Sequence, residues 1–138
     1  MLETIILTED DTDDIMFFEL ALRKIDYKFT PWIAKSCDEL FTILDEMIKI
    51  PEMIFLDLNM PCIDGFECLK KIRNISLLDT CKVVILTTSG DTENINKSRL
   101  LGADLYVTKP NDHSKLISVL NSLLIKGDNG SEFVYRTT

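Results

Sequence analysis

The sequence predicts an α/β domain built on a parallel sheet, and three observations carry that prediction. Five short apolar runs alternate with helical patterns along the chain, the signature of repeated βα units. Three of the runs, Ile5-Ile6-Leu7, Met53-Ile54-Phe55-Leu56 and Val83-Val84-Ile85-Leu86, are continuously apolar, as strands covered on both faces are. Four runs end in polar groups, at Glu9-Asp10, Asp57, Thr87 and Lys109. Parallel neighbouring strands would gather those ends at one rim, where open α/β sheets bind ligands.

The elements follow in order. The first strand is expected over Thr4–Thr8, and after Asp13 the residues Ile15, Phe18, Leu22 and Ile25 fall on one helical face. The second strand, Phe29–Ala34, holds Thr30 and Pro31 and reads as an edge strand, because proline donates nothing to a ladder. Ser36 with Glu39 has capping-box spacing and opens the second helix, whose face is Leu40, Ile43, Leu44 and Met47 and which Pro51 stops. Met53–Leu56 is the third strand, and a helix over Gly65–Arg73 turns Phe66, Leu69 and Ile72 inward. The fourth strand, Val83–Leu86, leads to a helix over Thr92–Leu101 that offers only Ile95, Leu100 and Leu101 as large apolar residues, with Gly102 as its stop. A helix that buries so little is held weakly. Leu105–Thr108 is the fifth strand, and the last helix spans His113–Ile125 with a stripe of Leu116, Ile117, Leu120, Leu123 and Leu124. Residues 1–126 thus make one domain, and 127–138, with two glycines and mostly polar residues, are expected to form a frayed, flexible tail. Within it, Phe133-Val134-Tyr135 is the run with the apolarity to dock on a partner.

Composition narrows the function classes. A chain of 138 residues with 46% hydrophobic content supports one real core. Its net charge of −8 argues against nucleic acid and against anionic membranes, since phosphate surfaces call for basic patches. No run approaches the roughly 18 apolar residues of a membrane span. The acidic start, MLETIILTEDD, has no cationic segment before its apolar run and so does not read as a signal peptide; a cytoplasmic location is expected. Cys37, Cys62, Cys68 and Cys81 form no Cys-x-x-Cys pair, and His113 is the single histidine, so neither a zinc site nor a redox motif is indicated. Buried or reduced thiols are expected instead.

The rim residues suit phosphoryl chemistry. Two carboxylates about 4 Å apart repel by on the order of 4 kcal/mol at an effective dielectric near 20. Glu9, Asp10 and Asp57 gathered together therefore need a proton or a cation between them. A small hard ion such as Mg2+ takes one or two carboxylates, a carbonyl and waters, and leaves room for a phosphate oxygen. Asp57 ends a buried strand and enters a loop, where a carboxylate can act as a nucleophile. Lys109 stands directly before Pro110, and Thr87 ends a β-branched run. Each is weak alone; their co-occurrence in this order is specific.

Glu9-Asp10 after the first strand, Phe55-Leu56-Asp57-Leu58-Asn59-Met60-Pro61 with Gly65, then Leu86-Thr87 and Tyr106-Val107-Thr108-Lys109-Pro110, resemble the receiver domains of two-component response regulators over about residues 3–126. The Leu86-Thr87-Thr88-Ser89 run resembles stand-alone receivers, including those paired with phytochrome-type kinases. The resemblance implies a flavodoxin-like (βα)5 fold: a five-stranded parallel sheet in the order 2-1-3-4-5 with helices on both faces. It implies that Asp57 accepts a phosphoryl group from a histidine kinase or phosphotransfer protein. Glu9, Asp10, Asp57 and the backbone carbonyl of Asn59 would hold Mg2+, and Lys109 would pair with the phosphoryl oxygens. The Thr87 hydroxyl would move toward the phosphoryl group and let Tyr106 rotate inward, while Asn59 and Ser89 occupy positions that tune phosphoryl loss. Three residues depart from the usual pattern: Glu9 replaces the more frequent Asp, Thr88 replaces a small residue and narrows access to Asp57, and Asn111 replaces a common aromatic.

The function expected is a stand-alone phosphoacceptor switch, not a turnover enzyme, whose phosphorylated state changes partner binding or passes phosphate onward. It would present an altered face of the fourth helix, fifth strand and fifth helix, with homodimer formation as one outcome. The chain ends soon after its fifth helix, so no DNA-binding output is expected. An aspartyl-phosphate hydrolase would want a second Asp as general acid where Asn59 stands. A flavin phosphate would want a Gly/Ser/Thr-rich loop where Glu9-Asp10-Asp11 stands. A phosphorylation-independent receiver would not retain all the site residues.

Overall fold

The computed structural model describes residues 1–60, 64–127 and 132–135. Pro61 of the loop motif, Cys62 and most of the tail expected to be flexible therefore lie outside the described residues. Five strands, β1 (Ile5–Thr8), β2 (Trp32–Ala34), β3 (Met53–Leu56), β4 (Lys82–Thr87) and β5 (Leu105–Thr108), pair in parallel in the order β2-β1-β3-β4-β5. The helices α1 (Thr12–Lys24), α2 (Cys37–Glu46), α3 (Gly65–Arg73), α4 (Thr92–Leu100) and α5 (His113–Leu120) alternate with them.

Strand alternation divides the core into two layers. Ile6, Ile54, Val83, Ile85 and Tyr106 face one side, covered by Leu40 of α2 and Cys68, Leu69 and Ile72 of α3. Ile5, Leu7, Phe55, Val84, Leu86 and Val107 face the other, covered by Phe18 and Leu22 of α1 and Val119 and Leu120 of α5. Every residue of β1 and β3 is buried, which is why those runs are apolar without alternation.

Part of the acidic excess serves as helix caps. Asp11, Asp64, Asp91 and Asp112 accept backbone amides at the starts of α1, α3, α4 and α5, and Ser36 accepts from Glu39 at α2. At the other end of α4, Gly102 takes φ +100°, the left-handed turn that stops the helix. A Cβ there would lie 2.9 Å from Cγ of Arg73. That arginine ties α3 to the sheet: Nε donates to Gly102 O (2.8 Å), and the guanidinium also reaches Leu78 O, Cys81 O and Asp104.

Three elements differ from their sequence expectation. β2 is an edge strand as Pro31 implied, but it begins only at Trp32, leaving Phe29 and Thr30 exposed outside the ladder. α2 ends at Glu46, and Met47 is already extended, so the turn toward β3 comes well before Pro51. The last helix changes winding: Asn121–Lys126 is π-helical, and Leu123 and Leu124 both enter the core there, as their place on the apolar stripe predicts. α4 buries only Ser98, and Leu100 is 86% exposed, in keeping with its sparse apolar pattern.

Candidate phosphoacceptor site

The C-terminal ends of β1, β3, β4 and β5 meet at one rim, and the side chains there come from four separate elements. Glu9 and Asp57 follow directly from buried strands and are themselves 2% and 5% exposed. One carboxylate oxygen from each of Glu9, Asp10 and Asp57 lies within 4.8 Å of the other two, a spacing one hard cation can span. Such a group among backbone amides fits a divalent ion: Glu9 Oε2 is held by the amides of Asp10 (3.2 Å) and Asp11 (3.4 Å), and Asp57 Oδ1 by the amide of Asn59 (3.1 Å).

Lys109 crosses this rim from the end of β5. Its Nζ donates to Glu9 Oε1 (2.5 Å), Asp14 Oδ2 (2.7 Å) and Asp57 Oδ2 (3.2 Å), which uses all three ammonium protons. Burial opposes its charge, but the hydrogen bonds it donates to Asp14 and Glu9 and the charges of Glu9 and Asp57 outweigh burial and hold the ammonium pKa above the ordinary lysine value. Glu9 shows the converse balance. Desolvation pushes its carboxyl up to about 8, the neighbouring Asp57 adds to that, and Lys109 opposes both. Burial and the neighbouring Asp57 thus favour the protonated form of Glu9, while Lys109 favours the charged one.

The residues proposed for switching lie on the far side of Asp57. Asn59 Nδ2 donates to Thr87 Oγ1 (3.1 Å), so the Thr87 hydroxyl is engaged with the loop that follows Asp57. Tyr106 is fully buried, and its hydroxyl donates to Ser89 O (2.5 Å) in the β4–α4 loop. Burial raises the phenol pKa, which keeps it a donor. Beside the rim opens a cleft of about 310 Å³, polar at Glu9, Asp14 and Lys109 and apolar at Phe17, Leu86 and Leu116.

Sequence reading had brought Glu9, Asp10, Asp57, Thr87 and Lys109 to one rim, and the structure places them there. It missed Asp14. The signal was present: Asp11 caps α1, so a side chain in the first turn returns to the helix N-terminus, next to the β1 end. The thiols follow expectation where they are described. Cys37, Cys68 and Cys81 are buried and unbridged, and burial pushes Cys68 and Cys81 up, the latter to about 12. Within the tail, Phe133–Tyr135 lies along β5: Tyr106 N donates to Phe133 O (2.8 Å) and Tyr135 N donates to Tyr106 O (2.9 Å). A terminal strand left with free amides and carbonyls offers the tail a ladder that its polar composition did not reveal.

Comparison with known proteins identifies this arrangement. The family model described as the response regulator receiver domain matches residues 5–121. The chain belongs to the response-regulator receiver family. Receivers are signalling phosphoacceptors of two-component systems rather than turnover enzymes. This receiver is 31% identical over 128 residues to a probable transcriptional regulator, ycf29 of Porphyra purpurea, covering 93% of the chain and 59% of that protein. It is 36% identical over 73 residues to the chemotaxis protein CheY of Treponema pallidum, covering 53% of the chain and 49% of that protein. The chain thus spans about half to three-fifths of the length of these relatives. Among solved structures, the Mn(2+)-bound form of response regulator Rcp1 superposes with TM-score 0.78 at 26% identity, covering 90% of this receiver and 95% of that chain. The phosphorylated cyanobacterial phytochrome response regulator RcpA gives TM-score 0.80 at 27% identity, covering 91% and 96%. The strand order and the helices on both faces are those of the flavodoxin-like receiver fold. Among the described residues no helix is long and apolar enough to cross a membrane.

Proposed function

We propose that this receiver is a phosphorylation switch in which Asp57 takes a phosphoryl group from the phosphohistidine of a sensor kinase or phosphotransfer protein. The N–P bond of the donor breaks, its electron pair returns to the imidazole, and a bond forms between Asp57 Oδ and phosphorus. The observation that supports this most is the convergence of Glu9, Asp10, Asp57 and Lys109 from three different strands. Phosphoryl transfer needs alignment and charge neutralisation more than covalent help, and this group supplies both.

Glu9, Asp10 and Asp57, with the backbone carbonyl of Asn59, would hold Mg2+, which neutralises charge on the transferring oxygens when bound. Lys109 then exchanges one of its three carboxylate partners for a phosphoryl oxygen. Asp14 is the partner to release, since its side chain is 36% exposed against 2% for Glu9 and 6% for Asp57. The Thr87 hydroxyl leaves Asn59 for the phosphoryl group, and the shift reaches Tyr106 and the β4–α4 loop. Changed binding of a partner on that side is the output. The likeness to Rcp1 and to phosphorylated RcpA supports a receiver that acts either as a final switch or as a relay. The low count of basic groups, 15 against 23 acids, argues against DNA as its own partner.

Acetyl phosphate with Mg2+ tests the reading. One acid-labile phosphoryl group should appear by intact mass, and Asp57→Asn should abolish it. Lys109→Ala should retain Mg2+ binding while impairing the response at Tyr106. Steady turnover of a small phosphomonoester would instead favour a hydrolase, although Asn59 supplies no general acid for one.

A further inference from the structure

We infer that the outer edge of β5 is a strand-binding surface whose resident occupant is this chain's own Phe133–Tyr135, and that this segment latches Tyr106 into its buried position. β5 ends the sheet, so its outward amides and carbonyls have no neighbouring strand. Edges of this kind recruit extended segments unless they are covered. Here Val134 forms a parallel bridge with Tyr106, flanked by the two backbone hydrogen bonds that join Tyr106 to Phe133 and Tyr135. The pairing is centred on Tyr106, whose hydroxyl donates to Ser89 O in the β4–α4 loop.

Side chains reinforce the backbone. The Phe133 ring lies 6.4 Å from the Tyr106 ring, tilted by 45°, and the Arg99 guanidinium of α4 lies 4.8 Å from the centroid of Phe133. Phe133 therefore fills the space between β5 and α4, with a cation over its face. Phe133 packs on the layer that holds Tyr106, and Tyr135 on the opposite layer, so the segment grips the sheet edge from both faces. Tyr106 is fully buried beneath it. The Phe133 ring thus packs beside the phenol ring in its buried position.

Two consequences follow. Any partner or second copy that reaches the β5 edge competes with this segment for the same amides. In addition, the latch favours the buried Tyr106 state before Asp57 carries a phosphoryl group, so a phosphoryl mimic that favours the same state binds more tightly with the latch closed. The second consequence rests on the switch role proposed for Tyr106; the first does not.

Amide hydrogen exchange read by NMR on the full chain tests the latch, with Phe133→Ala removing the ring and Tyr135→Pro removing the amide donor. The Tyr106 amide, donated to Phe133 O in the parent, should be protected there and exchange about tenfold or more faster in both variants. Amides of β1 and β3 should stay protected, showing that the fold is kept. Beryllofluoride with Mg2+ should bind the variants about fivefold more weakly, the factor one net hydrogen bond is worth. A Tyr106 amide that exchanges freely in the parent, or protection unchanged in both variants, overturns the latch. Faster exchange with unchanged beryllofluoride affinity overturns its coupling to Tyr106. A parent that binds no beryllofluoride overturns the phosphoacceptor reading instead, and exchange at Tyr106 still decides the latch.

Discussion

Glu9→Gln should change how stability depends on pH, and the size of the change follows from the site. In the metal-free protein the Glu9 carboxyl is raised from 4.5 to about 8, chiefly by burial and secondarily by Asp57. Between those values the folded chain keeps a proton that the unfolded chain has released. The folded state then binds more protons than the unfolded one, so stability must fall as pH rises through this window. It is fully present below the unfolded value and lost on approach to the folded one. Each pH unit well inside the window is worth about 1.4 kcal/mol, so between about pH 5.5 and pH 7.5 Glu9 should account for about 2 to 3 kcal/mol of lost stability. Lys109 does not offset this, because its own pKa is raised from 10.5 and so acts only at higher pH. Glutamine keeps the shape and carries no titrating proton. Urea unfolding in chelator at the two pH values should show the steep decline in the parent and a flatter one in Glu9→Gln. Mg2+ should stabilise the parent more at the higher pH, where expelling the proton costs less. Parallel pH dependences in parent and variant would refute the assignment of the stored proton to Glu9.

Two further outcomes concern the scaffold of the site. At Gly65 a Cβ would lie 2.5 Å from Leu58 Cα, 2.9 Å from Leu58 O and 3.0 Å from Asp57 O, all backbone atoms that cannot swing aside. Gly65→Ala should therefore cost about 2 kcal/mol in urea unfolding and slow labelling by acetyl phosphate, because the strain falls on the loop that carries Asp57. Arg73→Ala strips hydrogen bonds from Gly102 O, Leu78 O, Cys81 O and Asp104, and should cost about 3 kcal/mol by the same assay. Arg73→Lys should recover little, since one ammonium cannot reproduce a planar fork that reaches four acceptors.

The site was legible in the sequence to the extent that each residue ended a strand. Buried parallel strands are short and apolar, so polar residues that end each run are delivered to the rim; Asp57 and Lys109 stood out there through their co-occurrence with Glu9, Asp10 and Thr87. Asp14 could be placed near the rim from its position in the first turn of α1, but its part in the site depends on the reach of Lys109 from the far end of the chain. The order of the strands could not be read this way: apolar periodicity shows which residues are covered but not which strand lies beside which, and here the topology came from family resemblance.

By itself the sequence determined the βα alternation, the two-sided burial of β1 and β3, the Ser36 cap of α2 and the set of polar groups at the strand ends, because these depend on local periodicity and on the chemistry of single residues. Tertiary structure alone decided that Glu9, Asp14 and Asp57 converge on one ammonium, that burial pushes the Glu9 carboxyl up, and that Phe133–Tyr135 closes the edge of β5 over Tyr106. Those features arise between segments far apart in the chain, where desolvation and unpaired backbone groups become defined only after the sheet has assembled.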